Sequence, residues 1–124
     1  MTVARLTFPK KLRLLRQSQF DAVYQAKQAV VIGPLRILGL PNSLPHCRLG
    51  LNVSKRVGGA VQRNRVKRHL REAFRLIQHE LPPGLDLLVI ARSAEGVDLD
   101  SARNALMKSA EKLRSKWGKI EERK

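Results

Sequence analysis

Residues 63–75 constrain this chain more than any other stretch. Val66, Leu70, Ala73, Phe74 and Ile77 recur at i, i+4, i+7, i+8 and i+11, the spacing of one apolar helix face. Asn64, Arg68, Arg71 and Arg75 recur on the opposite side. Arg63, Arg65 and Lys67 add further charge, and Glu72 is the one acid among them. A solvated helix surface normally balances its cations with acids at i±4. This one does not, so the fold must bury one face of the helix and present the other to something anionic.

The totals agree. The formal net charge is +15 over 124 residues, with a sequence pI of about 11.3. Such an excess speaks of partners and not of fold. A polyanion suits it, because each phosphate neutralised releases condensed counterions. Hydrophobic residues make up 43%, enough for a packed core. No apolar run approaches the roughly 18 residues of a spanning helix. A cleavable leader is not visible. These features predict one soluble, cytoplasmic domain over 1–124, flexible at 1–12 and 118–124, with no membrane partner and no small-molecule substrate.

A coarse reading gives the order of elements. Ser18, with Asp21 three residues on, is expected to open a short helix whose Phe20, Val23 and Tyr24 share a face. Residues 29–32 can form a short strand before the break at Gly33-Pro34. Residues 35–40 read as a strand and 41–45 as a loop. In residues 48–54, Leu49, Leu51 and Val53 point one way, and Arg48, Gly50, Asn52 and Ser54 the other. Gly58-Gly59 precedes the basic helix and is expected to free backbone amides for a phosphate. Residues 85–91 read as a strand suited to burial on both faces. Asp98 or Asp100 caps a last helix with the stripe Leu99, Ala102, Leu106, Ala110, Leu113 and Trp117. The fold class is α+β: a two-layer sandwich with a small mixed sheet and helices on one face.

That leaves a sheet face carrying Arg48, Gly50, Asn52 and Ser54, with Arg36 and Leu38 expected on the neighbouring strand. A glycine and small polar residues allow an extended backbone to come close. Phe20 and Tyr24 at the edge could stack a base or could belong to the core. The combination suits a single-stranded nucleic acid read mainly by charge.

Catalytic or metal-binding groups are not apparent. The single cysteine, Cys47, neighbours His46, while His69 and His79 lie on a separate helix, nearly three turns apart. A histidine-based ribonuclease would need these to converge, and no CxxC or HxxxH spacing exists.

At this point the residues resemble a known family. Arg48-Leu49-Gly50-Leu51-Asn52-Val53-Ser54-Lys55-Arg56-Val57-Gly58, then Ala60-Val61 and Arg63-Asn64-Arg65-Val66-Lys67-Arg68, continued by Arg71-Glu72-Ala73-Phe74-Arg75, is similar to the signature block of the protein subunit of bacterial ribonuclease P. Arg13-Leu14, Phe20, Val23 and Tyr24 fit upstream, and 86–92 fits downstream. The resemblance implies an αβββαβα fold. It implies removal of the 5′ leader from precursor tRNA by a catalytic RNA, with magnesium held mainly by that RNA and none by the protein alone. It assigns Arg63, Asn64, Arg65, Lys67, Arg68 and Arg71 to the catalytic RNA. It assigns Phe20, Tyr24, Arg36, Arg48, Asn52, Ser54, Lys55 and Arg56 to the leader, in a cleft between the sheet and the N-terminal helix. Three positions depart from the family's habit: Leu38 stands for an aromatic, Lys27 for a glycine, and Gly59 for a polar or basic residue. A small ribosomal or RNA-chaperone protein of similar architecture is the alternative.

Overall fold

The structure is a computed structural model that describes residues 7–122. The expected flexibility of 1–12 and 118–124 falls partly on 1–6 and 123–124, outside the described residues. The elements are α1 (Gln17–Ala26), β1 (Ala29–Ile32), β2 (Leu35–Pro41), β3 (Arg48–Val53), α2 (Ala60–Ile77), β4 (Leu85–Ala91) and α3 (Leu99–Glu122). Short 3₁₀ turns at Lys10–Leu12 and Lys55–Val57 precede α1 and α2. The order is αβββαβα, as the sequence predicts. The last helix does not stop at Trp117 but continues through Gly118 to Glu122.

The four strands form a mixed sheet in the order β1-β2-β4-β3. β1 and β2 make an antiparallel hairpin, β2 pairs antiparallel with β4, and β4 pairs parallel with β3. The strand with the most continuous apolar run takes an interior position. Leu85, Leu87, Leu88 and Val89 are wholly buried because both faces of β4 are covered. One expectation is corrected here: β2 and β3 are not neighbours, since β4 lies between them.

The alternation in the strands divides the apolar residues into two clusters. Leu35, Ile37, Leu49, Val53, Leu85, Leu87, Val89 and Ala91 meet Val66, Leu70, Ala73, Phe74 and Ile77 of α2 and Ala102, Leu106, Ala110 and Leu113 of α3. This is the expected two-layer core. The second cluster lies on the other face, where Leu14 and Val23 pack on Leu38 and Leu88. The expectation of helices on one face is corrected for the short helix α1, which sits on the opposite face from α2 and α3. Val23 has no exposed surface, and α1 is too short to bury such a residue without the sheet.

Local capping differs from expectation at α1. Gln19 reaches back so that its Oε1 accepts the amides of Leu15 and Arg16, at 2.8 and 3.0 Å. Ser18 does not cap. At its other end α1 stops on Lys27, held at φ 58° and ψ 20° in the left-handed region. In α3 the cap is the expected Asp98: its Oδ1 accepts the Ser101 amide at 2.8 Å, and Ser101 Oγ accepts the Asp98 amide at 3.0 Å. This pair holds the Asp98 carboxyl below the usual carboxylate range.

Candidate nucleic-acid interface

On the α1 face of the sheet, register aligns side chains in three rows. Ala29, Leu38, Leu88 and Gly50 form the row beneath α1. Val31, Arg36, Ile90 and Asn52 form the next, and Leu40, Asp86 and Arg48 the row on the other side. The first row is closed by the helix. Gly50 is required there: a Cβ would stand 2.8 Å from Leu14 Cδ1 and 2.9 Å from Phe20 Cε1. Phe20 is thus half-buried over the strand, a packing role as much as a contact.

The second row is open. Val31 is 61% exposed and Tyr24 36%, beside half-buried Arg36 and Ile90 and exposed Asn52. Tyr24 Oη accepts a hydrogen bond from Asn52 Nδ2 at 2.8 Å, tying the rim of α1 to β3. Tyr24 therefore presents its ring at the edge with its polar tip already oriented. Ser54, Lys55 and Arg56 continue from β3 and are exposed in the turn before α2.

Arg48 behaves differently from expectation. Its Nε and Nη2 donate to the two Asp86 oxygens, both at 2.7 Å. Asp86 is nearly buried and also accepts from Asn42 Nδ2 at 2.8 Å. The carboxylate offsets the guanidinium and raises its pKa, so Arg48 brings little free charge to the cleft. The signal was present in the sequence: a carboxylate in an otherwise apolar strand needs a partner. Which partner is a matter of register across 38 residues.

The basic helix meets the cleft. Lys67 and Arg71 of α2 line a cavity of about 240 Å³ together with Phe8, Arg13, Leu14, Phe20 and Gly50. The two sets of residues predicted for different RNAs thus share a border. Asn64, Arg65 and Arg68 are exposed, Arg63 is half-buried, and Arg75 forms an ion pair with Glu72. Sequence reasoning missed Arg13, whose guanidinium lies 4.5 Å from the centroid of the Phe8 ring and whose Nη2 donates to Phe8 O at 2.8 Å. Phe8 in turn packs on Phe74 at 5.4 Å between centroids.

The glycine pair ahead of α2 is also only partly as expected. Gly58 sits at φ 144°, where a Cβ would collide with Gln62. Its amide donates to Lys55 O at 3.2 Å and is not available to a phosphate. Gly59 is the exposed N-cap, without a side-chain cap.

His46, Cys47 and His79 line one cavity of about 640 Å³, and His69 is not part of its lining. Cys47 is buried, and its Sγ donates to Pro82 O at 3.0 Å. Burial pushes its thiol pKa up. Among the described residues no three His, Cys, Asp or Glu side chains group to hold a metal. Among them, too, no helix is long and apolar enough to cross a membrane.

Fold and surface together define a small basic α+β protein with an open cleft that runs onto a cationic helix. The Ribonuclease P family model matches residues 8–115. The ribonuclease P protein component of Klebsiella pneumoniae (strain 342) is 47% identical over 112 residues, covering 90% of this chain and 91% of its own. That of Escherichia coli O139:H28 gives the same values. Among solved structures, the RNase P protein of Thermotoga maritima superposes with a TM-score of 0.69 at 30% identity, covering 77% of this chain and 98% of its own. The Staphylococcus aureus protein has a TM-score of 0.69 at 28% identity, covering 83% and 94%. The chain belongs to the ribonuclease P protein family, the protein component of a tRNA-processing endoribonuclease. The ribosomal or RNA-chaperone alternative is not favoured.

Proposed function

We propose that this chain binds the catalytic RNA of ribonuclease P through the outer face of α2 and holds the 5′ leader of precursor tRNA along the open row between α1 and β3. The observation that carries the reading is continuity. Lys67 and Arg71 border the same cavity as Phe20 and Gly50, so an extended strand leaving the cleft passes directly to α2. Arg65 and Arg68 project from α2 into solvent, where phosphates of a folded RNA can reach them.

Within the cleft, Arg36, Lys55 and Arg56 supply charge, Asn52 and Ser54 permit close approach, and the Tyr24 ring offers a stacking edge. Leu38 lies buried beneath α1, so base stacking is confined to the rim. The bond-breaking chemistry belongs to the RNA and the magnesium ions it holds. The described residues include no cluster fit to hold that metal. The site of action in this reading is the cytoplasm.

Reconstitution tests this. Protein, catalytic RNA and precursor tRNA are combined, and each part is omitted in turn. Protein alone should cleave nothing. Arg65→Ala and Arg68→Ala should each weaken binding to the catalytic RNA by about 1–3 kcal/mol, less where solvent screens the contact. Cleavage by pure protein at a rate tracking its own concentration would refute the division of labour. Unchanged RNA affinity in both variants would remove α2 from the interface.

A further inference from the structure

A second cationic surface lies at the other edge of the sheet. Lys108, Lys112, Lys116 and Lys119 of α3 recur at i, i+4, i+8 and i+11, and all four are exposed. Two contacts orient the stripe. Lys116 Nζ donates to Ala29 O of β1 at 2.8 Å. Arg114, on the other flank of the helix, donates to Pro83 O, between α2 and β4. The lysines therefore face the β1 edge, whereas Lys67 and Arg71 of α2 border β3. Three strand spacings separate β1 from β3, about 14 Å at about 4.8 Å each.

Two observations set this stripe apart from an ordinary solvated helix face. Glu111 and Glu122 lie within ion-pair reach along the helix, yet among the described residues the ion pairs are Arg48–Asp86 and Arg75–Glu72 alone. Among the described residues these lysines form no ion pair. Secondly, Lys27 stands two residues before Ala29 in the left-handed conformation that glycine adopts most cheaply. The chain keeps a cation at a position that local conformation disfavours, two residues before the strand whose Ala29 carbonyl Lys116 contacts.

We infer that the stripe Lys108, Lys112 and Lys119, with Lys27, is a second RNA-binding surface that takes the backbone of an A-form RNA duplex. The chain then bridges two RNA elements across the width of its sheet. A duplex fits better than a single strand. Trp117, the aromatic within α3, is half-buried with its Nε1 on Gly39 O at 2.8 Å, so the lysine stripe itself offers no stacking platform. Lysines act as point charges on phosphates, and the deep, narrow major groove of an A-form duplex keeps its base edges from side chains. From Lys108 to Lys119 the stripe runs about 16 Å at about 1.5 Å per residue, several phosphates of a duplex. This rests on the family reading above, in which the natural partner is RNA.

The test uses the triple variant Lys108→Gln, Lys112→Gln, Lys119→Gln, leaving Lys116 on its β1 carbonyl. The probes are the ribonuclease P RNA and a plain RNA hairpin duplex, each titrated across a salt series. The expected result is at least a tenfold loss of affinity for both. The log–log salt slope should also fall by about 0.9 per lost contact, with the thermal midpoint unchanged. Lys27→Gly should raise the midpoint and yet weaken RNA binding, opposite signs that a purely structural role would not produce. Arg65→Ala/Arg68→Ala is run in parallel. If that variant weakens binding and the triple variant does not, the α3 surface is an ordinary solvated face and this inference fails alone. If neither responds, the α2 reading fails as well. Because Cys47 is buried, Lys112→Cys and Arg68→Cys each provide one exposed thiol for a tethered RNA-cleaving reagent. Cuts in separate segments of the RNA support the bridge; cuts in one shared segment, or none from position 112, overturn it.

Discussion

Gly50→Ala probes the joint between fold and cleft with one methyl group. The added carbon would lie 2.8 Å from Leu14 Cδ1, 2.9 Å from Phe20 Cε1 and 3.1 Å from Leu14 Cβ. Comfortable contacts between such carbons are about 3.5–4.0 Å. Leu14 cannot retreat easily: it is buried, and its amide donates to Leu49 O at 3.0 Å. Phe20 is held by α1, which is anchored through fully buried Val23. Overpacking of this kind costs about 1–3 kcal/mol. Replacing a strand glycine returns about 0.5–1 kcal/mol of chain entropy. The net loss should be about 1–2 kcal/mol, and at this chain length each kcal/mol corresponds to roughly 3–5 °C in Tm. Relief by lifting α1 would draw Tyr24 away from Asn52 and weaken leader affinity too. Urea denaturation, with an unchanged m-value, reads the first effect. The affinity difference between precursor and mature tRNA reads the second. A midpoint equal to or above that of the parent would refute the claim that Leu14 and Phe20 fill the space over Gly50.

Three further outcomes are expected. Phe20→Ala should lower stability by about 2–3 kcal/mol, whereas Tyr24→Ala should cost little stability and more leader affinity; denaturation and leader binding of both variants decide between packing and contact. Asp86→Ala should destabilise by about 2–4 kcal/mol, because it orphans Arg48 and Asn42; it should also steepen the leader salt slope by up to about 0.7 as the guanidinium is released to the cleft. Asp98→Ala should lower Tm at neutral pH. Since the folded carboxyl is held below its usual pKa, its stabilisation is complete above about pH 4 and is lost as pH falls through the folded value. The gap between variant and parent should therefore close in acid, as thermal scans across pH will record.

Legibility in the sequence followed the range of the interaction. The core face of α2 and the alternation of Leu49, Leu51 and Val53 were readable because their periods are local. The burial of β4 on both faces was readable from its unbroken apolar run. The insertion of β4 between β2 and β3 was not, since both strands favour an interior partner and nothing local selects it. The placement of α1 was hidden for a related reason: Val23 demands burial but does not say on which face. For the cleft, residue types were legible and partners were not. Arg48 reads as a free cation until Asp86 is set opposite it by strand register. Likewise the Lys67 and Arg71 side of α2 reads as one face among several until Phe8 and Phe20 are brought beside it.

The interior position of β4 also orders the birth of the molecule. β2 ends at Pro41 and β3 begins at Arg48, yet the two never touch without the strand that arrives last. A chain emerging from synthesis has the β1–β2 hairpin and β3 as separate pieces until residues 85–91 are made. Joining them closes loops of long sequence separation, the slow part of folding. α2 lies in the connection between β3 and β4, so its apolar face finds its full sheet only at the same moment. The cleft rows, which take residues from β1, β2, β4 and β3 side by side, come into being with the sheet itself, before α3 completes the core beneath it. A chain made only as far as α2 cannot present the assembled cleft rows.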